Sequence, residues 1–336
     1  MSQAEHSQKR TAPGGKRKSL SSAKEFAGVF PALFTPLLDD DASRLRNGID
    51  YAKAKIIIDD LIEAGVDGLV PVGTTGQSPT VSHKQHIDFI KFTLDYVDGR
   101  VPIIAGAGSN CTRETVDMIQ AIQRDAGELA CLCVTGYYNN PPQEGLVRHF
   151  ETVARETGAK IVIYNVPGRT SSYLEPDTLV ELSRNDHIIG LKQSVDFRNP
   201  GKHREDTQSV LQRVSADDMS VVSGEDDSLF AILELGGRGI ITASGNIPEV
   251  SRAFLKLIKT YRDGDRKGAE TLQAGLDSVI KAVFCRKNPI PLGTFFNSPL
   301  YLPLVPVRET KGGEEAHAKI MELVSTAVPS LKKYHG

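Results

Sequence analysis

No apolar run in this chain approaches the roughly 20 residues that a membrane-spanning helix requires. Nor does charge of one sign dominate: 40 Lys and Arg stand against 42 Asp and Glu, a net charge of -2. The first absence removes a helical membrane protein from consideration, and the second removes any general electrostatic pull toward nucleic acid. The four cysteines, Cys111, Cys131, Cys133 and Cys285, include no CxxC pair, and Cys131 and Cys133 lie two apart in an apolar strand, too close for a bridge along it. They read as reduced thiols that behave as small buried hydrophobes, which suits a cytoplasmic location. No His/Cys/Asp cluster has metal-ligand spacing, and no internal repeat is evident. What is present, 336 residues of which 40% are hydrophobic and 24% charged, has ample length for a large core.

Residues 1–25 differ in character from the rest. Lys9, Arg10, Lys16, Arg17, Lys18 and Lys24 outnumber the two acids, Glu5 and Glu25, amid Ser, Gly and Pro, the composition of a disordered basic tail. It lacks the apolar core of a secretory signal. Its basic, serine-containing, acid-poor make-up leaves organelle targeting as the lesser alternative to a cytoplasmic location. The absence of interleaved aromatics disfavours a nucleic-acid-binding arm.

From residue 26 onward, short β-rich runs alternate with longer segments of helical period, the pattern of a parallel sheet built from βα units. The runs fall at 28–35, 68–73, 101–106, 130–135, 160–166, 188–192, 220–224 and 239–243, with helices near 44–64, 82–97, 112–126, 143–157, 175–185, 201–213, 226–236 and 248–263. Eight of each in strict alternation predict an α/β fold, a (β/α)8 TIM barrel over 26–264, with a doubly wound open sheet as the alternative. Residues 265–336 read as a small C-terminal helical domain, with helices around 269–284 and 314–328 and a Pro- and Gly-containing connection over 288–313. The polar stretch 196–207 reads as a flexible excursion. Polar and special residues gather after the strands, at Thr74-Thr75-Gly76, Gly108-Ser109-Asn110, Gly136-Tyr137-Tyr138-Asn139, Tyr164 to Thr170, Lys192, Gly224-Glu225 and Ser244-Gly245-Asn246. That is the face on which barrel enzymes place their sites.

The run Tyr164-Asn165-Val166-Pro167-Gly168-Arg169-Thr170 is followed, at the end of the next apolar run, by Lys192. A lysine at the C-terminal end of a buried strand loses hydration, so a neutral amine can become available to attack a carbonyl. Tyr164, at the end of the neighbouring strand, could carry protons to and from a carbinolamine, and Arg169 could hold a carboxylate by two parallel hydrogen bonds. At Gly73-Thr74-Thr75-Gly76 the glycines let backbone approach a small anion while the hydroxyls donate to it. Tyr137-Tyr138 supplies further phenols.

Taken in order on successive strands, Gly-Thr-Thr-Gly, Tyr-Tyr-Asn, Tyr-Asn-Val-Pro-x-Arg-Thr and Gly-Leu-Lys resemble the 4-hydroxy-tetrahydrodipicolinate (dihydrodipicolinate) synthases, pyruvate-dependent class I aldolases of lysine biosynthesis. The resemblance runs from about residue 26 to 296 and ends with Asn288-Pro289-Ile290-Pro291. It implies condensation of pyruvate with L-aspartate 4-semialdehyde, with no metal or cofactor. By this resemblance Lys192 forms the imine, and Thr74, Tyr138 and Tyr164 form a proton relay. Thr75 binds the pyruvate carboxylate, Arg169 the carboxylate of the aldehyde, and Gly224 and Ile241 shape the pocket floor. Tyr138 is implied to reach into a partner's site across a tight dimer, within a homotetramer built as a dimer of dimers. Ser78, His83, His86, Asn110, Glu114 and Tyr137 resemble the residues at which lysine acts as an allosteric inhibitor.

The chain departs from the pattern at Gln77, where Glu is usual, at Pro79 and Gly136, and at Gln193-Ser194, where Glu-Ala is more usual after the lysine; none of these removes a catalytic group. The alternatives are another pyruvate-dependent aldolase, such as N-acetylneuraminate lyase or a 2-keto-3-deoxy sugar acid aldolase, and a non-enzymatic keto-acid binder. Polyol substrates need hydroxyl partners where a short acid aldehyde needs a carboxylate clamp, so Arg169 and the tyrosine pair favour the synthase.

Overall fold

The computed structural model describes residues 19–197 and 200–335. Eight short strands, β1 (Gly28–Leu33), β2 (Val70–Pro71), β3 (Ile104–Gly106), β4 (Ala130–Val134), β5 (Lys160–Asn165), β6 (Ile188–Gln193), β7 (Ser220–Ser223) and β8 (Gly239–Thr242), pair in the order β2-β1-β8-β7-β6-β5-β4-β3. Every pairing is parallel, and a parallel bridge between Leu69 and Ile103 brings the two edges of the sheet together. The expected TIM barrel is the observed one. Strands such as β1 and β6 are buried along their whole length because their outer face meets helices while their inner face fills the barrel centre. The inner face contributes Phe30, Leu132, Val162, Tyr164, Val222 and Ile241 to a single interior cluster.

The N-terminal end of the barrel is closed by chain that composition assigned to the tail. Leu20, Ala23 and Phe26 are buried and join the interior cluster, and the Ala130 amide donates to Ser19 Oγ at 2.9 Å. Phe26 packs 5.2 Å from Phe30, centroid to centroid. Its seat depends on Gly190, where a Cβ would come within 2.4 Å of the Phe26 ring. Residues 19–25 are therefore packed, contrary to the expectation of disorder, because a few apolar side chains among the basic ones find a cavity that only the closed barrel creates. The remainder of the expected tail, with its proposed targeting role, lies outside the described residues.

The surrounding helices follow local rules. Helix α1 (Tyr51–Glu63) starts later than its period suggested, because Asp50 caps it by accepting from the Lys53 amide at 2.8 Å, while Leu37 and Ile49 pair in the segment before it. Helix α2 (His83–Val97) begins with a complete capping box, Ser82 with Gln85. Helices α3 (Thr112–Ala126) and α4 (Gln143–Thr157) have the expected bounds, and the latter ends at Gly158 in the left-handed region. After the short α5 (Pro167–Thr170) come α6 (Pro176–Leu182), α7 (Lys202–Arg213), α8 (Leu229–Glu234) and α9 (Pro248–Arg262). Two residues of the expected excursion, Arg198 and Asn199, lie outside the description, but Phe197 is fully buried and Lys202 to Thr207 are helical.

Beyond the barrel, the helix expected over 269–284 is two, α10 (Arg266–Gly275) and α11 (Asp277–Val283), parted just after Gly275. Helix α12 (Ile290–Phe295) lies inside the expected connection. Its prolines, Pro289 and Pro291, occupy the N-cap and the first turn, where a missing N–H costs nothing. Helix α13 (Gly313–Thr326) completes the helical C-terminal part.

His149 ties two barrel helices together. Its Nδ1 lies 3.0 Å from Thr112 Oγ1 and its ring meets Phe150 edge-on, while its Nε2 is buried without a partner. Burial pushes its pKa down to about 4, against about 6.5 in an unfolded chain. Between these values the unfolded state binds more protons than the folded one, so stability falls as pH drops from about 6.5 to about 4. Urea titrations across this window should show the wild-type midpoint falling, and His149→Leu should flatten the dependence; an equal slope in both would show that another group titrates.

Candidate active site

The site is set by the pairing of β5 and β6. Ile161 lies opposite Ile188, but the register then shifts by one residue, so Val162 faces Gly190 and Tyr164 faces Lys192. The following pair, Asn165 and Gln193, holds this register through side chains. Asn165 Nδ2 donates to Gln193 Oε1 at 2.9 Å, Gln193 Nε2 donates to Thr207 Oγ1 at 3.1 Å, and the Leu174 amide donates to Asn165 Oδ1 at 3.1 Å. Lys192 and Tyr164 are both buried, and Lys192 Nζ lies 4.2 Å from the centre of the Tyr164 ring. The lysine stem crosses Gly224, where a Cβ would come within 2.9 Å of Lys192 Cε and 2.0 Å of Ser194 Oγ.

The Gly-Thr-Thr-Gly turn leaves β2 through Val72, whose φ of 54° is rare for a β-branched residue. The neighbouring backbone permits this only with glycine at 76 and 106, since a Cβ on Gly106 would fall 2.2 Å from the Val72 carbonyl oxygen. Gln77, where the motif departs from its usual Glu, is fully buried and uses both ends of its amide: Nε2 donates to the Thr35 carbonyl at 3.1 Å, and Oε1 accepts from the Tyr301 amide at 3.1 Å. Thr75 Oγ1 accepts from Asn288 Nδ2 at 2.9 Å, which leaves its own hydroxyl proton free to donate. Arg169 Nη2 donates to the Asn288 carbonyl at 3.1 Å.

Thr74, Thr75, Tyr164, Arg169, Lys192, Gly224 and Asn288 surround one cavity of ≈ 450 Å³, with Ser194, Glu225, Arg286 and Lys287 also in its wall. Burial, followed by the nearby Asp226, pushes the Glu225 carboxyl above its ordinary range, with Lys192 pulling the other way. Ile241 is fully buried in the barrel interior with Tyr164 and Val222, beneath this cavity and outside its wall.

A second cavity of ≈ 360 Å³ shares Thr74, Tyr164, Val166 and Arg169 with the first and is lined further by Ser78, Pro79, His83, His86, Glu114 and Tyr137. His83 Nε2 lies 3.2 Å from Glu114 Oε1, and the Ser109 hydroxyl donates to the same carboxylate. His83 is exposed, whereas His86 is buried, its Nε2 2.6 Å from the Gly106 carbonyl oxygen and its pKa lowered by that burial. The two histidines, three apart on one helix, therefore differ in exposure. Asn110 is outside the wall, its Nδ2 turned to the Tyr137 carbonyl at 3.2 Å. Tyr138 lines neither cavity. It has a left-handed φ of 72° and is 95% exposed, pointing away from its own barrel.

Ser109, Glu225 and Asn288 stand in runs that the sequence marked, but motif reading gave none of them a role; they line the two cavities. The Asn288-Pro289-Ile290-Pro291 run was visible, but nothing in it tells that the chain returns to the barrel mouth at that point.

A buried lysine on a barrel strand, beside a phenol and in one cavity with a guanidinium and two hydroxyls, defines the class of a Schiff-base-forming barrel enzyme. Residues 25–312 match the dihydrodipicolinate synthetase family, and the chain belongs to that family. It is 38% identical over 306 residues, 89% of this chain and 97% of the other, to the 4-hydroxy-tetrahydrodipicolinate synthase of Methanocaldococcus jannaschii. The crystal structure of dihydrodipicolinate synthase from Aquifex aeolicus is similar at a TM-score of 0.79 and 30% identity, covering 89% of this chain and 97% of that one. A synthase structure from Cyanidioschyzon merolae with lysine bound aligns at a TM-score of 0.79 and 26% identity, covering 90% and 99%. The family and lyase class implied by the motif order are borne out. Among the described residues no helix is long and apolar enough to cross a membrane.

The crowding at Gly224 makes a prediction. Gly224→Ala should lower turnover by at least about tenfold, because displacing the lysine stem by even a fraction of an ångström costs reactive geometry. Far-ultraviolet circular dichroism should be unchanged; full activity in the variant would mean that Lys192 has room the packing denies it.

Proposed function

We propose that this chain condenses pyruvate with L-aspartate 4-semialdehyde to 4-hydroxy-tetrahydrodipicolinate, the committing reaction of lysine biosynthesis by the diaminopimelate route. The observation that carries the reading is the buried Lys192 facing Tyr164 in one cavity with Thr75 and Arg169. Thr75 holds the pyruvate carboxylate with its free hydroxyl proton. The Lys192 amine adds to the ketone, and the carbinolamine loses water once Tyr164 has protonated its hydroxyl, with Thr74 passing protons onward. The protonated imine withdraws electrons from the adjacent methyl, so loss of one methyl proton gives an enamine. That carbon bonds to the aldehyde while Arg169 fixes the aldehyde's carboxylate. The aldehyde oxygen takes the relay proton and becomes the product hydroxyl. Finally the substrate amine attacks the imine carbon and expels the lysine amine, which closes the ring. The water lost in forming the first imine is the one water of the net reaction.

Tyr138 completes the relay of a second copy in this reading. Support comes from the 95% exposure of Tyr138 and its left-handed backbone, beside the Tyr137 that lines the second cavity. The assembly we propose is a homotetramer made of two such dimers, acting in the cytoplasm. Incubation with pyruvate and borohydride, read by mass spectrometry, should leave a reduced adduct on wild type and none on Lys192→Ala. Mixing Lys192→Ala with Tyr138→Phe subunits should then restore part of the turnover that each lacks. An adduct persisting in Lys192→Ala overturns the assignment of the amine, and mixed dimers without activity overturn the shared relay.

The second cavity is the proposed lysine site. Glu114 offers a carboxylate to an amine, Ser78 and the Tyr137 hydroxyl offer polar partners, and Thr74, Tyr164 and Arg169 are common to both cavities, so occupancy of one bears directly on the other. The lysine-bound relative supports this use. Titration calorimetry should show lysine binding to wild type and at least about tenfold weaker binding to Glu114→Ala; equal affinities would remove Glu114 from the site.

A further inference from the structure

The C-terminal part of the chain contributes one side chain that the scheme above leaves unused. Asn288, between α11 and α12, is 7% exposed and stands in the wall of the catalytic cavity. Its Nδ2 is bound to Thr75 Oγ1 at 2.9 Å and its main-chain carbonyl to Arg169 Nη2 at 3.1 Å, so it bridges the two groups assigned to the two substrate carboxylates. Its Oδ1 is buried and accepts no hydrogen bond. A buried carbonyl oxygen without a donor carries an uncompensated desolvation cost, which a ligand donor would relieve.

We propose that Asn288 Oδ1 receives the amino group of the aldehyde substrate and thereby selects a 2-amino acid aldehyde over the same aldehyde without the amine. The inference rests on the substrate placement of the preceding reading. In such a substrate the amine and carboxylate share one carbon, so a carboxylate held by Arg169 brings the amine beside the residue whose carbonyl already binds that guanidinium. The rest of the wall is poorly suited to a cation, since Lys192, Arg169, Arg286 and Lys287 outnumber the single carboxylate, Glu225. The chemistry also favours an amide. The amine must later attack as the neutral base, and a carboxylate partner would hold its proton more firmly than an uncharged oxygen does. Asn288 acts here as a specificity-determining residue that touches substrate, distinct from its hold on Thr75.

The test compares aspartate 4-semialdehyde, read as kcat/KM at saturating pyruvate, with succinic semialdehyde, read as its inhibition constant against the first. Asn288→Ala should lower kcat/KM for the amino aldehyde by about tenfold or more while changing the inhibition constant of the amine-free aldehyde by less than about threefold. Asn288→Asp keeps an acceptor at the same place and loses the donor to Thr75, so it should retain the preference in binding, read as the KM of the amino aldehyde against the inhibition constant of the amine-free one, even if its KM for pyruvate rises and the more firmly held amine proton lowers kcat. If Asn288→Ala weakens both aldehydes equally, or if Asn288→Asp loses the preference as alanine does, the residue serves only to position Thr75 and Arg169 and the proposal is overturned. Should the alanine variant fail to fold, the aspartate variant alone decides. A wild type that forms no pyruvate adduct or consumes no amino aldehyde would instead sink the proposed activity itself, an outcome separate from a loss of discrimination with turnover intact.

Discussion

Between Ile161 and Val162 the pairing of β5 with β6 slips by one residue, and the site depends on that slip. Had the first register continued, Tyr164 would lie opposite Leu191, and Lys192 opposite Asn165. Because side chains alternate faces along a strand, a one-residue change of register decides whether two groups share a face. With the slip in place, the amine and the phenol point into the same barrel interior, while Asn165 and Gln193 close an amide pair directed at Leu174 and Thr207. The polar pair is buried and bonded at both ends, so restoring the other register would leave several polar groups unpaired at once. The departure from Glu to Gln at position 193 fits this arrangement, since an amide can accept from Asn165 and donate to Thr207 where a carboxylate can only accept.

Gln77 follows the same logic on the opposite side of the mouth, donating to Thr35 and accepting from Tyr301. Both departures from the family pattern are thus neutral amides placed where a buried donor and a buried acceptor must be met together. Each lies within two residues of a group proposed for the chemistry, Lys192 in one case and Thr75 in the other, and adds no charge beside a cavity that already holds several cations.

The C-terminal part of the chain belongs to the site as much as to the scaffold. Asn288 links Thr75 on the β2 turn to Arg169 on the β5 loop, two groups that the barrel alone holds at separate strand ends. Thr74, Tyr164 and Arg169 stand in the walls of both cavities. The residues proposed for the relay, the carboxylate clamp and the lysine pocket consequently line two adjoining cavities, in which a shift of any shared wall residue is felt on both sides.

Much of this was legible in the residues. The alternation of β-rich runs with helical periods specified eight βα units, and α3 and α4 fell on their expected bounds, because each signal is local and repeats within a few residues. The glycine and proline punctuation marked the strand ends, and chemistry-bearing residues gathered there in an order that named the family. The burial of Leu20 and Ala23 was hidden in a basic stretch, since their partners come from the far end of the barrel. Helix α12 was masked by its own prolines, which are harmless only because they occupy the first turn. The separation of His83 from His86 turns on which side of one helix meets the barrel. Local pattern determined eight alternating βα units, read as a barrel with an open sheet as the alternative, and which residues gather at the strand ends. The slip between β5 and β6, the outward face of Tyr138 and the reach of Asn288 were decided by tertiary structure, because each is a relation between segments whose separation in sequence carries no local signature.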